Sequence, residues 1–264
     1  MAVVTLLTDF GEKDGYPGIM QGVIYSIAPE CRVVDLSHTV HPQGIFEGSL
    51  ALLRALPYFP PGSVHVGVVD PGVGTERRPI AARLGEQFFV GPDNGLVTSI
   101  LEHTERSGGQ VAFVHLDRPE FWLPSVSKSF HGRDIFAPVG AHLANGVPLK
   151  DIGSHIEQVN RLYIPLPTPL DKGWSGEVIH VDHFGNVATN IRSNHLLAFS
   201  AFHIKLKDHT IDRFFNSYGD AEEGELIAII DSSGYLSLAV VNGSAADMMD
   251  TQSGDTIEVI NQHG

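Results

Sequence analysis

The chain has 264 residues, enough for one large domain or two smaller ones around a sizeable core. Its 42% hydrophobic and 18% charged content excludes a disordered chain. The net charge of −14 disfavours a nucleic-acid partner and tolerates a cationic small molecule.

A single cysteine, Cys31, excludes an intrachain disulfide framework. No apolar run approaches the roughly 18 residues of a membrane span. The first residues lack a basic n-region and a small-residue cleavage site. A cytoplasmic protein with no membrane partner is therefore expected.

In chain order, residues 3–8 read as a buried strand ending at Asp9, and 18–28 as a helix stopping before Pro29. Strand 32–36 and helix 44–56 follow, then strand 64–69, which runs into Asp70-Pro71-Gly72. Residues 80–84 and 87–91 form a hairpin around Gly85. Helix 96–105, strand 111–116 and helix 135–144 complete the alternation. This pattern predicts an α/β domain over 1–157, with a mostly parallel sheet and helices on both faces.

Residues 158–174 carry three prolines and no helical period, so they read as an extended linker. Beyond them the pattern turns to strands at 176–181, 202–206, 226–230, 235–241 and 256–260. Residues 175–264 are thus expected to form a small all-β, barrel-like domain.

Asp9 and Asp70 each end an apolar strand-like run, where open α/β sheets gather ligands. Asp9 either accepts hydrogen bonds from a ribose diol or caps the following turn. The spacing of Asp70 and Arg77 permits a loop that folds back and pairs the charges, with Gly74 admitting a ligand closely. It is not a P-loop, because the Gly-Lys-Ser/Thr ending is missing. In Ser129-Phe130-His131-Gly132-Arg133-Asp134, His131 suits a general base or hydrogen-bond donor. There Gly132 leaves room for a ligand, and Asp134 would cap the helix at 135. Asp182 and Asn186 either read an ammonium group or base edge, or close a hairpin turn. Asn242 and Gly243 either present backbone groups to a heterocycle or form a β-turn. The His180/Asp182/His183 and His38/His41 spacings match no zinc motif, and a Gly-x-Ser-x-Gly elbow is absent.

Together the segments TDFG at Asp9, VVDPGVGTERR at 68–78, SFHGRD at 129–134, VDHFGNVATNI at 181–191 and DSSGYLSLAVVNGSAA at 231–246 resemble the S-adenosyl-L-methionine (SAM) hydroxide adenosyltransferases. These are SAM hydrolases, related to fluorinases and chlorinases. The resemblance spans essentially the whole chain. It implies hydrolysis of SAM to adenosine and L-methionine, without metal or cofactor. It also implies a homotrimer, with ligand sites between the N domain of one subunit and the C domain of the next. Matched positions make Asp70, Arg77 and His131 the water-orienting set. Asp9 would hold the ribose hydroxyls, Phe130 and Gly132 would line the pocket, and Asp182 would bind the methionine ammonium. Asn186 and the Asn242-Gly243 pair would meet the adenine, with an aromatic contact near Phe215 or Tyr218. The related halogenases carry a tyrosine where Asp70 stands and an aromatic residue followed by serine in place of His131-Gly132. That points to the hydrolase branch. A halogenase of the same fold, a non-catalytic SAM or adenosine sensor, and a histidine-metal hydrolase are the rival readings.

Overall fold

The computed structural model describes residues 2–262, and the chain divides between Tyr163 and Ile164 into two compact units. In the first, β1 (Val3–Thr8), α1 (Tyr16–Ile27), β2 (Arg32–Ser37), α2 (Ile45–Ala55) and β3 (Val64–Val68) alternate. The hairpin β4 (Pro79–Leu84) and β5 (Gln87–Pro92) follows, then α3 (Thr98–Arg106), β6 (Val111–His115), α4 (Ala137–Ala144) and β7 (Ser154–Ile156).

The sheet runs β2-β1-β3-β5-β4-β6-β7. Its β2-β1, β1-β3 and β3-β5 pairs are parallel, and the pairs formed by β4, β6 and β7 are antiparallel. The sheet is therefore mixed, not mostly parallel. The tight β4–β5 connection at Gly85 reverses the chain, and β6 and β7 add to that reversed edge. A parallel neighbour would need a long crossover.

β1 and β3 are interior strands, and their apolar runs are buried almost throughout. One core layer gathers Met20 and Ile24 of α1 with Val139 and Leu143 of α4. The opposite layer gathers Leu52 of α2 with Ile100 and Leu101 of α3. Pro17 in its first turn starts α1, where a missing N–H costs nothing.

One polar side chain crosses this apolar centre. His65 on β3 is 2% exposed; its Nδ1 lies 2.8 Å from Thr5 Oγ1 and its Nε2 lies 3.1 Å from Gln87 Oε1. Burial pushes its pKa below the usual histidine value, only partly offset by Gln87. The unfolded chain then binds a proton that the folded one refuses, so stability is lost as pH falls below about 6.5. Urea unfolding at pH 7.5 and 5.5 should show a larger loss for the wild type than for His65→Gln. Equal losses would remove His65 from the acid sensitivity.

The second unit comprises β8 (Thr168–Leu170), β9 (Gly173–Val181), β10 (Val187–Arg192), α5 (Ser193–Leu196), β11 (Phe202–Leu206) and β12 (His209–Ile211). It continues through β13 (Leu226–Ile230), β14 (Tyr235–Val240), α6 (Ala245–Met249) and β15 (Thr256–Asn261). The strands follow the order β12-β11-β15-β9-β10-β14-β13, all antiparallel, with β8 added on β9. Phe214, just beyond β12, bridges Ala228 on β13, so the sheet nearly closes on itself. Val178, Val187, Leu206, Leu236, Leu238 and Val259 fill the interior. Antiparallel closure of this kind shields the sheet's edges.

Candidate active site

The chain leaves β1 for β2 on one side and returns through β3 on the other. In open α/β sheets such a reversal is where ligands gather, here at the carboxyl ends of β1 and β3. Thr8 and Val68 are paired across the two strands, so Asp9 and Asp70 emerge side by side at this end.

The loop after β3 folds back. Arg77 Nε donates to both Asp70 oxygens at 2.9 Å, and Nη2 also bonds Oδ2. The two side chains are only 9% and 4% exposed. Nη2 further reaches His131 Nδ1 at 3.0 Å, and the guanidinium lies 5.1 Å from the Phe136 ring centroid. Two segments distant in sequence, 70–77 and 131–136, thus meet around one guanidinium.

Arginine has only donors, so His131 Nδ1 accepts this bond. In the neutral ring the proton therefore sits on Nε2. Burial, then the charge of Arg77, lowers the His131 pKa, while the charge of Asp70 opposes them more weakly. The neutral imidazole is the favoured form, and it presents an N–H donor.

The neighbourhood corrects two expectations, on Gly74 and Asp134. Gly74 does not make space for a ligand: at φ +76°, its missing Cβ would lie 2.3 Å from the Lys128 carbonyl oxygen. The glycine instead lets the 70–78 loop press against the backbone leading to His131. At Gly132 a Cβ would meet Phe10 and Met20 at 3.3 Å, so the glycine packs closely against the ring that neighbours Asp9. Asp134 does not cap the helix from outside. It sits within a π-helical turn, Gly132–Phe136, that precedes α4. Its Oδ2 accepts from Ser127 N and Oγ at 2.7 Å, and its Oδ1 accepts from Arg133 Nε at 2.6 Å. Asp134 thereby ties down the segment that carries His131.

Asp9 is half-buried, and its Oδ2 accepts from Gln43 N at 2.8 Å. Beside it Phe130 packs edge-on against Phe10 and Tyr16, with centroids 5.7 and 5.1 Å away. The first unit therefore brings Asp9, Asp70, Arg77, Phe130, His131 and Gly132 to one end of its sheet.

In the second unit, Asp182 closes the β9–β10 turn. Its Oδ1 accepts from Phe184 N and Asn186 N at 2.9 Å, and its Oδ2 from Asn186 Nδ2 at 2.8 Å. Asn242 has φ +56°, and Gly243 bridges Val240. The two turns touch: Ala246 N donates to Gly185 O at 3.0 Å, and Ser244 crowds the space beside Gly185. Asp182, Asn186, Asn242 and Gly243 thus share one end of this unit. Sequence reasoning left the aromatic residue there open between Phe215 and Tyr218. Phe215 packs against Ile227 and Ile229, on the face of β13 opposite the barrel interior. Tyr218 is 46% exposed, and its pKa is raised by burial and by the charges of Asp182 and Asp231, which places it near Asp182. Phe184, within the turn itself, is exposed.

Among the described residues no three His, Cys, Asp or Glu side chains are grouped to hold a metal.

Residues 4–153 match the SAM hydroxide adenosyltransferase N-terminal domain, and residues 176–258 match its C-terminal domain. The chain belongs to the SAM hydroxide adenosyltransferase family. Within that family it is 41% identical, over 97% of both chains, to the (R)-S-adenosyl-L-methionine hydrolase of Salinispora tropica. A crystal structure of a conserved Thermotoga maritima protein superposes with a TM-score of 0.91 at 35% identity, covering 98% of this chain and 100% of that one. A fluorinase of Nocardia brasiliensis is more distant, 26% identical over 97% of this chain and 96% of its own. This adenosyltransferase therefore sits nearer to proteins named as hydrolases than to those named as halogenases.

Proposed function

We propose that the protein hydrolyses S-adenosyl-L-methionine to adenosine and L-methionine, with Asp70, Arg77 and His131 activating the water. The observation that carries this reading is the single guanidinium joining the Asp70 carboxylate and the His131 imidazole.

In the reaction a water oxygen forms a bond to C5′ as the C5′–S bond breaks. The bonding pair goes to sulfur, which leaves as a neutral thioether and needs no general acid. The water must lose one proton. His131 cannot take it, because Nδ1 is engaged by Arg77 and Nε2 already carries hydrogen. Asp70 takes it, while His131 Nε2–H donates to the water oxygen and orients its lone pair. Alignment of this kind supplies about 7–11 kcal/mol in favourable cases. Asp9 holds the ribose hydroxyls through the oxygen that Gln43 leaves free, and the Phe10, Tyr16 and Phe130 rings bound the pocket.

Asp182 would take the methionine ammonium, with Asn186, Asn242 and Gly243 meeting the adenine. Family resemblance supports a homotrimer that completes each site at a subunit interface. No helix among the described residues is long and apolar enough to cross a membrane, and the paired site carboxylates suit a cationic sulfonium substrate.

Incubation with SAM in ¹⁸O-water tests the reaction. Label in the adenosine 5′-hydroxyl is expected. Adenosine without label, or 5′-halo-5′-deoxyadenosine formed in halide buffer, would overturn the reading.

A further inference from the structure

Asp70 follows the end of β3 after one intervening residue, Val69, so its position depends on what holds the end of that strand. The backbone carbonyl of Val69, one residue before Asp70, accepts a hydrogen bond from Asn94 Nδ2 at 2.8 Å. The other atom of the same amide, Asn94 Oδ1, accepts from Leu96 N at 3.2 Å. One side chain thus links the start of the 70–78 loop to the turn that leads into α3.

The far end of the loop is held by the preceding residue. Asp93 is 1% exposed, and its Oδ2 accepts from Arg78 Nε at 2.9 Å and Nη2 at 2.5 Å. Asp93 N donates back to Arg78 O at 2.9 Å. Its Oδ1 accepts from Asn160 N at 2.7 Å, so every carboxylate oxygen is engaged. Arg78 is the immediate neighbour of Arg77.

We propose that Asp93 and Asn94 are positioning residues for water activation, clamping the catalytic loop at Val69 and at Arg78 so that Asp70, Arg77 and His131 stay in register. The proposal rests on the hydrolase reading above and assigns that site two supports that touch neither substrate nor water. Between the clamps the loop is stiffened by its own turns, with Val73 N bonded to Asp70 O and Thr75 Oγ1 to Gly72 O. Moving either end therefore moves the carboxylate as a unit with its arginine. A displacement near 1 Å at such a site costs on the order of 10²-fold in rate. Asp9, which would hold the ribose, lies on a different strand end and receives its hydrogen bond from Gln43, so binding is spared.

The test is steady-state hydrolysis of SAM by the full chain carrying Asn94→Ala or Asp93→Asn, with adenosine affinity by calorimetry and thermal unfolding alongside. The expected result is a kcat lowered about 10²-fold while KM for SAM and adenosine affinity stay near wild type. Asp93→Asn keeps the side chain's size and its acceptor for Asn160, so it serves if the alanine variant does not fold. Wild-type kcat in a folded variant would overturn the proposal. So would a parallel collapse of kcat, affinity and unfolding temperature, which marks a merely structural role. Wild-type protein that binds SAM but never splits it would instead sink the hydrolase reading, and the positioning role with it.

Discussion

Asp70→Asn is expected to lower turnover by about 10³-fold, within the 10²–10⁴ range of a lost general base, while adenosine affinity is retained. The asparagine keeps the shape but cannot take a proton from water. Adenosine binding survives because the Asp70 oxygens face Arg77, whereas Asp9 would hold the ribose. The substitution also strips a nearly buried guanidinium of its counter-charge. Removing one partner of such a pair costs about 3–5 kcal/mol, because the other charge stays buried and uncompensated. Thermal unfolding should therefore drop in Asp70→Asn and recover in part when Arg77→Met is added. Turnover should not recover. If the double variant regained activity along with stability, Asp70 would be a structural partner of Arg77 and not the base.

The residues that meet at this site were more legible than the way they are held. Asp9 and Asp70 stand out because each ends an apolar run, and the run itself predicts a strand end. The Asp70–Arg77 pairing was open to inference from their separation and the intervening Pro-Gly turn. The antiparallel half of the sheet was harder to see. β6 and β7 carry no local mark of direction, since a strand's sequence does not encode which way its neighbour runs. β10 was missed for another reason: it hides polar groups. Thr189 is fully buried and donates to Leu236 O, and the Asn190 side chain accepts from Glu177 N. A strand with Thr and Asn inside reads as a turn until its partners are known. The same holds for Asp93 and Asn94. Pro92-Asp93-Asn94-Gly95 looks like a connection, and its meaning lies in hydrogen bonds to residues 69, 78 and 160. Gly74 reads from sequence as space for a ligand, but the structure fills that place with the Lys128 backbone, because glycine equally serves close packing of backbone on backbone.

His131→Gln is expected to keep turnover within about 10-fold of wild type, while His131→Ala loses about 10²–10³-fold, the usual cost of one preorganised donor. The argument is the tautomer. Arg77 can only donate, so Nδ1 accepts and Nε2 carries the hydrogen, the one that would face the water in the proposed mechanism. A glutamine amide places an N–H close to the position of Nε2 and has no basic lone pair there. If His131 were the proton acceptor, glutamine would be as inactive as alanine. The pH profile separates the cases again. The lowered pKa of His131, caused first by burial and then by Arg77, favours the neutral ring. The acid limb of wild-type kcat should thus lie at lower pH than that of an ordinary histidine, about 6.5. Protonated His131 turns Nδ1 into a second donor facing Arg77, which breaks the contact and repels the guanidinium from Asp70. His131→Gln has no ring to protonate, so its acid limb should move to lower pH and report the carboxylate alone. An unchanged limb in that variant would mean that His131 does not govern the acid side of the reaction.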